Sequence, residues 1–170
     1  MRIYLIGYMG SGKSKTGDAL AKLLKYSSAD TDQMVEERIG TSIENIFKTE
    51  GQEYFRDVEK DVLRQTAMFD KIVISTGGGT PCYYDNMTWM KENGLTVYLE
   101  ANAGLLFHRL ATNKASRPLI SELNDVDLME QITSHLAVRI PVYRKADIIF
   151  NAADVDAKEL AAKIKEHKRN

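Results

Sequence analysis

The sequence of 170 residues predicts an α/β fold, in which helices cover both faces of a parallel sheet. The first observation is that five short strand-like runs, most of them apolar, alternate with segments of helical periodicity along the whole chain. The second is a glycine-rich segment between the first apolar run and the first helical segment, a position at which α/β folds often bind a ligand. A chain of this length is expected to form one domain, residues 1–170.

The individual elements follow from periodicity and from glycines that end helices. The predicted strands are residues 3–6, 26–29, 72–75, 95–99 and 146–150. The predicted helices are residues 14–24, 33–39, 42–49, 52–68, 84–93, 102–110, 126–138 and 157–167. Gly40, Gly51 and Gly94 each follow a predicted helix. Pro141 is expected to break or kink the helix before it.

Charge and cysteine content exclude several functional classes. The formal net charge of −1 excludes the overall basic character typical of nucleic-acid or membrane-surface binding, so neither partner is expected. No apolar run approaches the length of a membrane span. One cysteine, Cys82, excludes an intrachain disulfide, and because the sequence opens on a strand-like run we expect no targeting segment. We therefore expect a cytoplasmic protein in which any anion is bound by a local cluster of Arg and Lys.

Residues 7–14 read Gly-Tyr-Met-Gly-Ser-Gly-Lys-Ser and match the P-loop pattern between a strand and a helix. The loop amides and the positive end of the next helix would bind phosphate. Lys13 is expected to reach the β- and γ-phosphates, and the Ser14 hydroxyl to bind Mg²⁺. The alternative is a turn that only joins strand and helix. The nucleotide-binding residues predicted here are Gly10, Ser11, Gly12, Lys13, Ser14 and Lys15, the last with a solvent-facing side chain.

Asp30 and Asp32 come at the end of the second predicted strand. Alternate residues of a strand face the same way, so both carboxylates could point into one site at the ligand-binding edge of the sheet. The alternative is that one of them caps the next helix.

Two further segments could bind an anion or a substrate. Arg56 could bind a carboxylate through its planar guanidinium, or could be a solvated helix arginine paired with a neighbour such as Glu53 or Glu59. Residues 77–79 are three consecutive glycines that follow a predicted strand, and they form either a ligand-contacting loop or a wide turn without a ligand. The histidines lack metal-ligand spacing, and histidines and tyrosines alike are expected to serve packing or to lie at the surface.

Residues 111–125 lose periodicity and contain Lys114 and Arg117. A long loop in a compact domain is often an active-site lid, and the alternative is a disordered surface loop.

In order and spacing, these segments resemble the shikimate kinases over nearly the whole chain. The segments are the P-loop, Asp30-Thr31-Asp32, Gly51-Gln52-Glu53-x-Phe55-Arg56, Thr76-Gly77-Gly78-Gly79, Arg117-Pro118-Leu119 and Arg139-x-Pro141-x-Tyr143. The P-loop alone indicates only a nucleotide, whereas the acidic pair, Phe55-Arg56 and the three glycines together are specific. The resemblance implies a three-layer α/β/α, nucleoside-monophosphate-kinase-like P-loop fold with a five-stranded parallel sheet of order 2-3-1-4-5.

The resemblance also implies ATP-dependent phosphorylation of the 3-hydroxyl of shikimate in aromatic amino-acid biosynthesis, with Mg²⁺ as cofactor and ATP as co-substrate. Residues 32–60 would bind shikimate, with Asp32 on its hydroxyls as the candidate base. Arg56 and Arg139 resemble the pair that binds the carboxylate, and the backbone of Gly78 and Gly79 would meet the substrate. We expect a monomer.

For the nucleotide side, Asp30 resembles the residue that supports Mg²⁺ through water. Arg117, in a lid of residues 111–125, resembles the arginine that neutralises the transferred phosphoryl group. Arg109 resembles the arginine that stacks on adenine, with the loop of residues 151–154, including Asp154, closing over the base. Residues 152 and 153 are alanines, so this loop lacks the arginine of the family pattern.

Two other functions remain open from the residues. One is a kinase for a different small molecule on the same scaffold, and the other is a nucleotide-binding module that acts through a partner. The sequence contains no N/T-K-x-D guanine-reading motif on a late strand, which counts against a GTPase switch.

Overall fold

In the computed structural model, residues 1–112 and 120–167 are described. Within them five strands form one sheet: β1 (Arg2–Ile6), β2 (Ser27–Asp30), β3 (Ile72–Ser75), β4 (Leu95–Glu100) and β5 (Ile148–Asn151). The strands run in the order β2-β3-β1-β4-β5, and every neighbouring pair is parallel. The parallel sheet and its 2-3-1-4-5 order are thereby confirmed.

The described helices connect these strands and lie on both faces of the sheet. They are α1 (Lys13–Leu24), α2 (Thr31–Ile39), α3 (Ile43–Thr49), α4 (Gly51–Gln65), α5 (Asn86–Asn93), α6 (Ala103–Thr112), α7 (Asp125–Tyr143) and α8 (Ala157–His167). Two short 3-10 helices, Thr66–Met68 and Thr80–Cys82, follow α4 and the glycine loop. None of the helices in the described ranges combines the length and the apolar composition that a membrane span requires.

The central strand β1 divides the core, because its alternate side chains point to opposite faces of the sheet. Ile3 and Leu5 belong to a buried cluster with residues of α1, α6, α7 and α8. Tyr4 and Ile6 belong to a second cluster with residues of α4 and α5. A smaller cluster joins α2, α3 and α4 beside the sheet. These clusters confirm the three-layer architecture, and β1 carries the P-loop at its buried carboxyl end.

Element boundaries differ from the prediction where tertiary packing outweighs local signals. The predicted helix of residues 52–68 ends as an α-helix at Gln65 and continues as the 3-10 helix. Pro141 does not break α7, which extends through it to Tyr143. A proline in a last turn removes only one hydrogen bond, whereas Tyr143 beyond it is fully buried against the sheet. That burial extends the helix past the predicted end at residue 138.

Candidate active site

A cavity of about 760 Å³ opens at the carboxyl ends of β1, β2 and β3. Parallel sheets commonly bind ligands at this edge. The cavity is lined by residues 9–16 of the P-loop and α1, together with Asp30, Asp32, Thr76, Gly78 and Arg109. Most of the predicted nucleotide-binding and metal-binding residues therefore share one cavity with Asp32.

The P-loop curls around the side chain of Lys13. Gly10 and Gly12 have φ angles of 81° and 96°, a left-handed conformation that glycine adopts without steric cost. The Lys13 ammonium donates hydrogen bonds to the carbonyls of Gly7 at 2.8 Å and Tyr8 at 3.0 Å. Gly12 precedes α1 and has no side chain that could occupy the first amides of the helix. The loop thus presents the helix amides and a cation to the cavity, as phosphate binding requires.

Asp30 combines the two roles that its sequence position left open. Its Oδ1 accepts a hydrogen bond from the backbone N–H of Asp32 at 3.0 Å and so caps α2. Its Oδ2 accepts a hydrogen bond from the Ser14 hydroxyl at 2.8 Å. Capping therefore orients a carboxylate whose other oxygen, with the Ser14 hydroxyl, lines the cavity.

Asp32 reaches the same cavity from a different element. The expectation that both carboxylates project from one strand is wrong, because Asp30 ends β2 whereas Asp32 lies in the first turn of α2. Burial and the negative charges of Asp30 and Glu59 raise the pKa of Asp32 to about 7, against the opposing effect of Lys13 and Arg56. A carboxylate with such a pKa can accept a proton near neutral pH.

Arg56 is buried rather than solvated. Its side chain is 12% exposed, and its Nη1 donates to a carboxylate oxygen of Glu59 at 2.6 Å, where Glu59 is 1% exposed. The ring of Tyr83 lies 4.0 Å from the guanidinium carbon, within the range of a cation–π contact. The alternative of a solvated arginine is wrong, although the predicted pairing with Glu59 is present.

The glycine loop of residues 77–79 is where the charged side chains converge. A Cβ atom at Gly79 would lie 2.7 Å from Nη2 of Arg56, and one at Gly78 would lie 3.7 Å from Nη1 of Arg139. A Cβ atom at Gly77 would lie 2.6 Å from a carboxylate oxygen of Asp32. The two guanidinium groups and the carboxylate thus face neighbouring residues of one loop. A Cβ atom at residue 77 or 79 would displace Asp32 or Arg56, whereas one at residue 78 would be in ordinary contact with Arg139.

The C-terminal half of α7 holds Arg139 at this loop. Tyr143, one turn further on, donates a hydrogen bond from its hydroxyl to the carbonyl of Gly78. Burial raises the pKa of Tyr143 far above its usual value, so the hydroxyl keeps its proton. The positive charge of Arg139 opposes part of this rise in the pKa of Tyr143.

Arg109 joins the P-loop to the loop that follows β5. Its guanidinium donates to the carbonyls of Ala152 at 2.8 Å and Ser11 at 3.3 Å. Ala152 and Ala153 line the cavity beside it. Asp154 is exposed and is absent from the cavity lining, where Val155 and Ala157 continue the wall.

Part of the predicted lid lies outside the described residues. Arg117, predicted to neutralise phosphate, lies outside the described residues, as do Lys114 and Pro118. Of residues 111–125, Ala111 and Thr112 belong to α6, and Ile120 is buried in the core.

Sequence reasoning missed several residues that build the site. Glu59 was considered only as a surface partner of Arg56, yet it also accepts a hydrogen bond from the Thr80 hydroxyl at 2.5 Å. Thr80 was assigned no role, and Tyr143 entered only as a position of the segment Arg139-x-Pro141-x-Tyr143, because their hydrogen bonds join distant segments. The spacing of three residues between Arg56 and Glu59 on a helix was the one available signal.

A strand, P-loop and helix at the centre of a parallel sheet, with acidic and cationic side chains facing the loop, define a P-loop kinase. The family model for shikimate kinase matches residues 9–168. The chain therefore belongs to the shikimate kinase family.

Individual relatives are similar over nearly their whole length. The chain is 41% identical over 157 residues to a shikimate kinase of Phocaeicola vulgatus, and the aligned region covers 92% of this chain and 90% of that protein. A crystal structure of shikimate kinase from Bacteroides thetaiotaomicron superposes with a TM-score of 0.92 and 37% identity, covering 100% of this chain and 99% of that one. Shikimate kinase from Acinetobacter baumannii in complex with shikimate gives a TM-score of 0.84 and 34% identity, with 97% and 90% covered.

Proposed function

We propose that the chain transfers the γ-phosphoryl group of ATP to the 3-hydroxyl of shikimate, giving shikimate 3-phosphate and ADP on the route to chorismate and the aromatic amino acids. The observation that carries the proposal is that Arg56 and Arg139 converge on Gly78 and Gly79 beside the P-loop cavity. Two guanidinium groups suit a carboxylate, which each can bind through two parallel hydrogen bonds. The relative from Acinetobacter baumannii, whose structure contains shikimate, supports the same assignment.

The nucleotide phosphates would bind at the P-loop. The α1 amides and Lys13 would supply positive charge where the transition state places negative charge on the phosphoryl oxygens. The Ser11 hydroxyl is buried and makes no hydrogen bond within the described part of the chain. A phosphate oxygen would give it a partner. In phosphoryl transfer this positioning and charge compensation contribute most of the catalysis.

Mg²⁺ fits the oxygen donors that line the cavity. Mg²⁺ binds hard oxygen ligands and keeps several waters, using one or two protein groups beside the substrate phosphates. The Ser14 hydroxyl would bind the ion, and the Asp30 carboxylate, 2.8 Å from that hydroxyl, would support it through water. When bound, the ion would neutralise charge on the β- and γ-phosphates.

Asp32 would orient the acceptor hydroxyl. Its carboxylate would accept a hydrogen bond from the 3-hydroxyl and take the proton as the oxygen attacks phosphorus. The pKa of about 7 means that the carboxylate is substantially ionised at neutral pH and can still hold the proton after transfer.

The remaining assignments of the site are also proposals. Arg109 and the loop at Ala152 would contact the adenine, and Lys15 and Asp154 would contribute from the rim of the nucleotide site. Arg117, in a lid of residues 111–125, would approach the transferred phosphoryl group. Residues 32–60 would form the shikimate-binding region of a single domain, and the chain would act as a cytoplasmic monomer that binds no nucleic acid.

ADP release measured with and without shikimate tests the function directly. The proposed enzyme releases ADP at a rate that depends on shikimate, and a panel of other acceptors, such as gluconate and nucleoside monophosphates, gives little. Release that another acceptor stimulates more strongly would indicate a different small-molecule kinase. ATP binding without acceptor-dependent release would indicate a binding module.

The carboxylate assignment is tested at Arg56. Arg56→Lys keeps a positive charge for Glu59 but loses the planar fork, so the KM for shikimate should rise about tenfold or more with the KM for ATP nearly unchanged. Arg38→Lys is the matched control, because Arg38 lies on α2 and pairs with Asp61 at the surface. Equal rises in both KM values for the Arg56 variant would remove Arg56 from the carboxylate site.

A further inference from the structure

Tyr8, the second residue of the P-loop, is part of the core rather than of the loop surface. It is 2% exposed and belongs to the same buried cluster as Ile132 and Leu136 of α7. The phosphate-binding loop is thus anchored directly against the helix that carries Arg139.

Two polar contacts accompany this packing. The Tyr8 hydroxyl lies 3.0 Å from Nδ1 of His135, a hydrogen-bond distance at which either atom can be the donor. The guanidinium carbon of Arg139 lies 5.3 Å from the centre of the Tyr8 ring, within the range of a cation–π contact. His135 and Arg139 are four residues apart on α7 and therefore share one face of the helix. The Tyr8 side chain contacts both of them.

The backbone of the same residue holds the phosphate-binding lysine. The Tyr8 carbonyl accepts hydrogen bonds from the Lys13 ammonium at 3.0 Å and from the Ser11 N–H at 3.1 Å. One residue therefore touches the cation expected to bind phosphate and the cation expected to bind the acid. Tyrosine has few rotatable bonds, and its ring is buried, so it can transmit position between the two.

We propose that Tyr8 and His135 are positioning residues that fix Arg139 relative to the P-loop. The inference rests on the proposed function, in which Arg139 binds the shikimate carboxylate and Lys13 binds phosphate. The Tyr8–His135 hydrogen bond fixes α7 at the turn before Arg139, and the Tyr8 ring supports the guanidinium. Without the hydrogen bond, Arg139 samples positions that fit the carboxylate less well, so shikimate binding weakens while the nucleotide site is retained.

The experiment compares KM values for shikimate and ATP in variants of the full chain. Tyr8→Phe keeps the ring and removes the hydroxyl, and His135→Ala removes its partner. Each variant should raise the KM for shikimate about 3- to 10-fold, the range expected for one hydrogen bond, with the KM for ATP within about twofold. The double variant should be no worse than either single one, because both remove the same interaction. His135→Asn places an amide near the Nδ1 position and should restore the parent value.

Tyr4→Phe is the matched control, because Tyr4 is a fully buried tyrosine of β1 whose hydroxyl lies 3.0 Å from the Thr66 hydroxyl, on the other face of the sheet. It should leave both KM values unchanged. Unchanged shikimate KM values in Tyr8→Phe and His135→Ala, or equal rises in the KM values for shikimate and ATP, overturn the inference. Shikimate-dependent ADP release by the parent chain would still uphold the proposed function in that case. A parent chain without that release overturns both.

Discussion

Replacing Asp32 by asparagine should stabilise the fold at alkaline pH although it removes the proposed base. The reason is the site itself, in which the half-buried Asp32 lies near the carboxylates of Asp30 and Glu59. Asparagine has nearly the same shape as aspartate and carries no charge. The substitution therefore removes an unfavourable charge without opening a cavity.

The magnitude follows from the pKa of Asp32, which the fold raises from 3.8 to about 7. Because the folded chain binds this proton more tightly than the unfolded chain, the free energy of unfolding falls as pH rises between these two values. Above pH 7 the full penalty is present, roughly 4 kcal/mol. Asp32→Asn removes it, so the stabilisation should approach roughly 4 kcal/mol at pH 8 and fall below about 2 kcal/mol at pH 5. Even half of the larger value would raise Tm by about 4–8 °C in a chain of this size.

Urea unfolding of parent and variant at pH 5 and pH 8 measures the effect. Comparing the two proteins at each pH cancels the titration of groups that they share. Asp147→Asn is a control in which the change in stability should have the opposite sign. Burial raises the pKa of Asp147, but hydrogen bonds from Lys91 and Thr96 outweigh burial, so the pKa lies below its usual value. That variant should lose stability at pH 8, and less at acid pH. An Asp32→Asn protein less stable than the parent at pH 8, or a difference that does not change with pH, would refute the argument.

Two further predictions concern the groups around the glycine loop. Glu59→Gln leaves the buried Arg56 guanidinium without the anion it contacts and should lower the free energy of unfolding, measured in urea, by about 3 kcal/mol. The control Glu44→Gln breaks an exposed pair of the same 2.6 Å distance and should lower it by about 0.5 kcal/mol or less. Similar losses in both variants would contradict the role of burial. Gly79→Ala would place a Cβ atom 2.7 Å from the Arg56 guanidinium and push it away from Glu59, so the KM for shikimate should rise in steady-state kinetics and Tm should fall. Gly104→Ala, which meets only one side-chain oxygen at 3.5 Å, should leave the KM unchanged and should not lower Tm.

Local sequence predicted most elements, because most of the strands are short apolar runs and the helices α2 and α5 end at glycines. The errors lie where a contact from elsewhere in the chain outweighs a local preference. Burial of Tyr143 carries α7 past Pro141. Asp30 both caps α2 and lines the cavity, whereas the sequence analysis treated these two roles as alternatives.

The sequence by itself determined the α/β class, the P-loop and the identity of the charged residues, since these depend on periodicity and on motifs within a few residues. Tertiary structure alone decided that Arg56 is buried against Glu59, that Arg139 approaches the glycine loop, and that Tyr8 joins Lys13 to α7. Those contacts unite segments up to 127 residues apart, as between Tyr8 and His135. Apart from the three-residue spacing of Arg56 and Glu59 on α4, no local pattern encodes these contacts, because only the strand order of the sheet brings the segments to one edge.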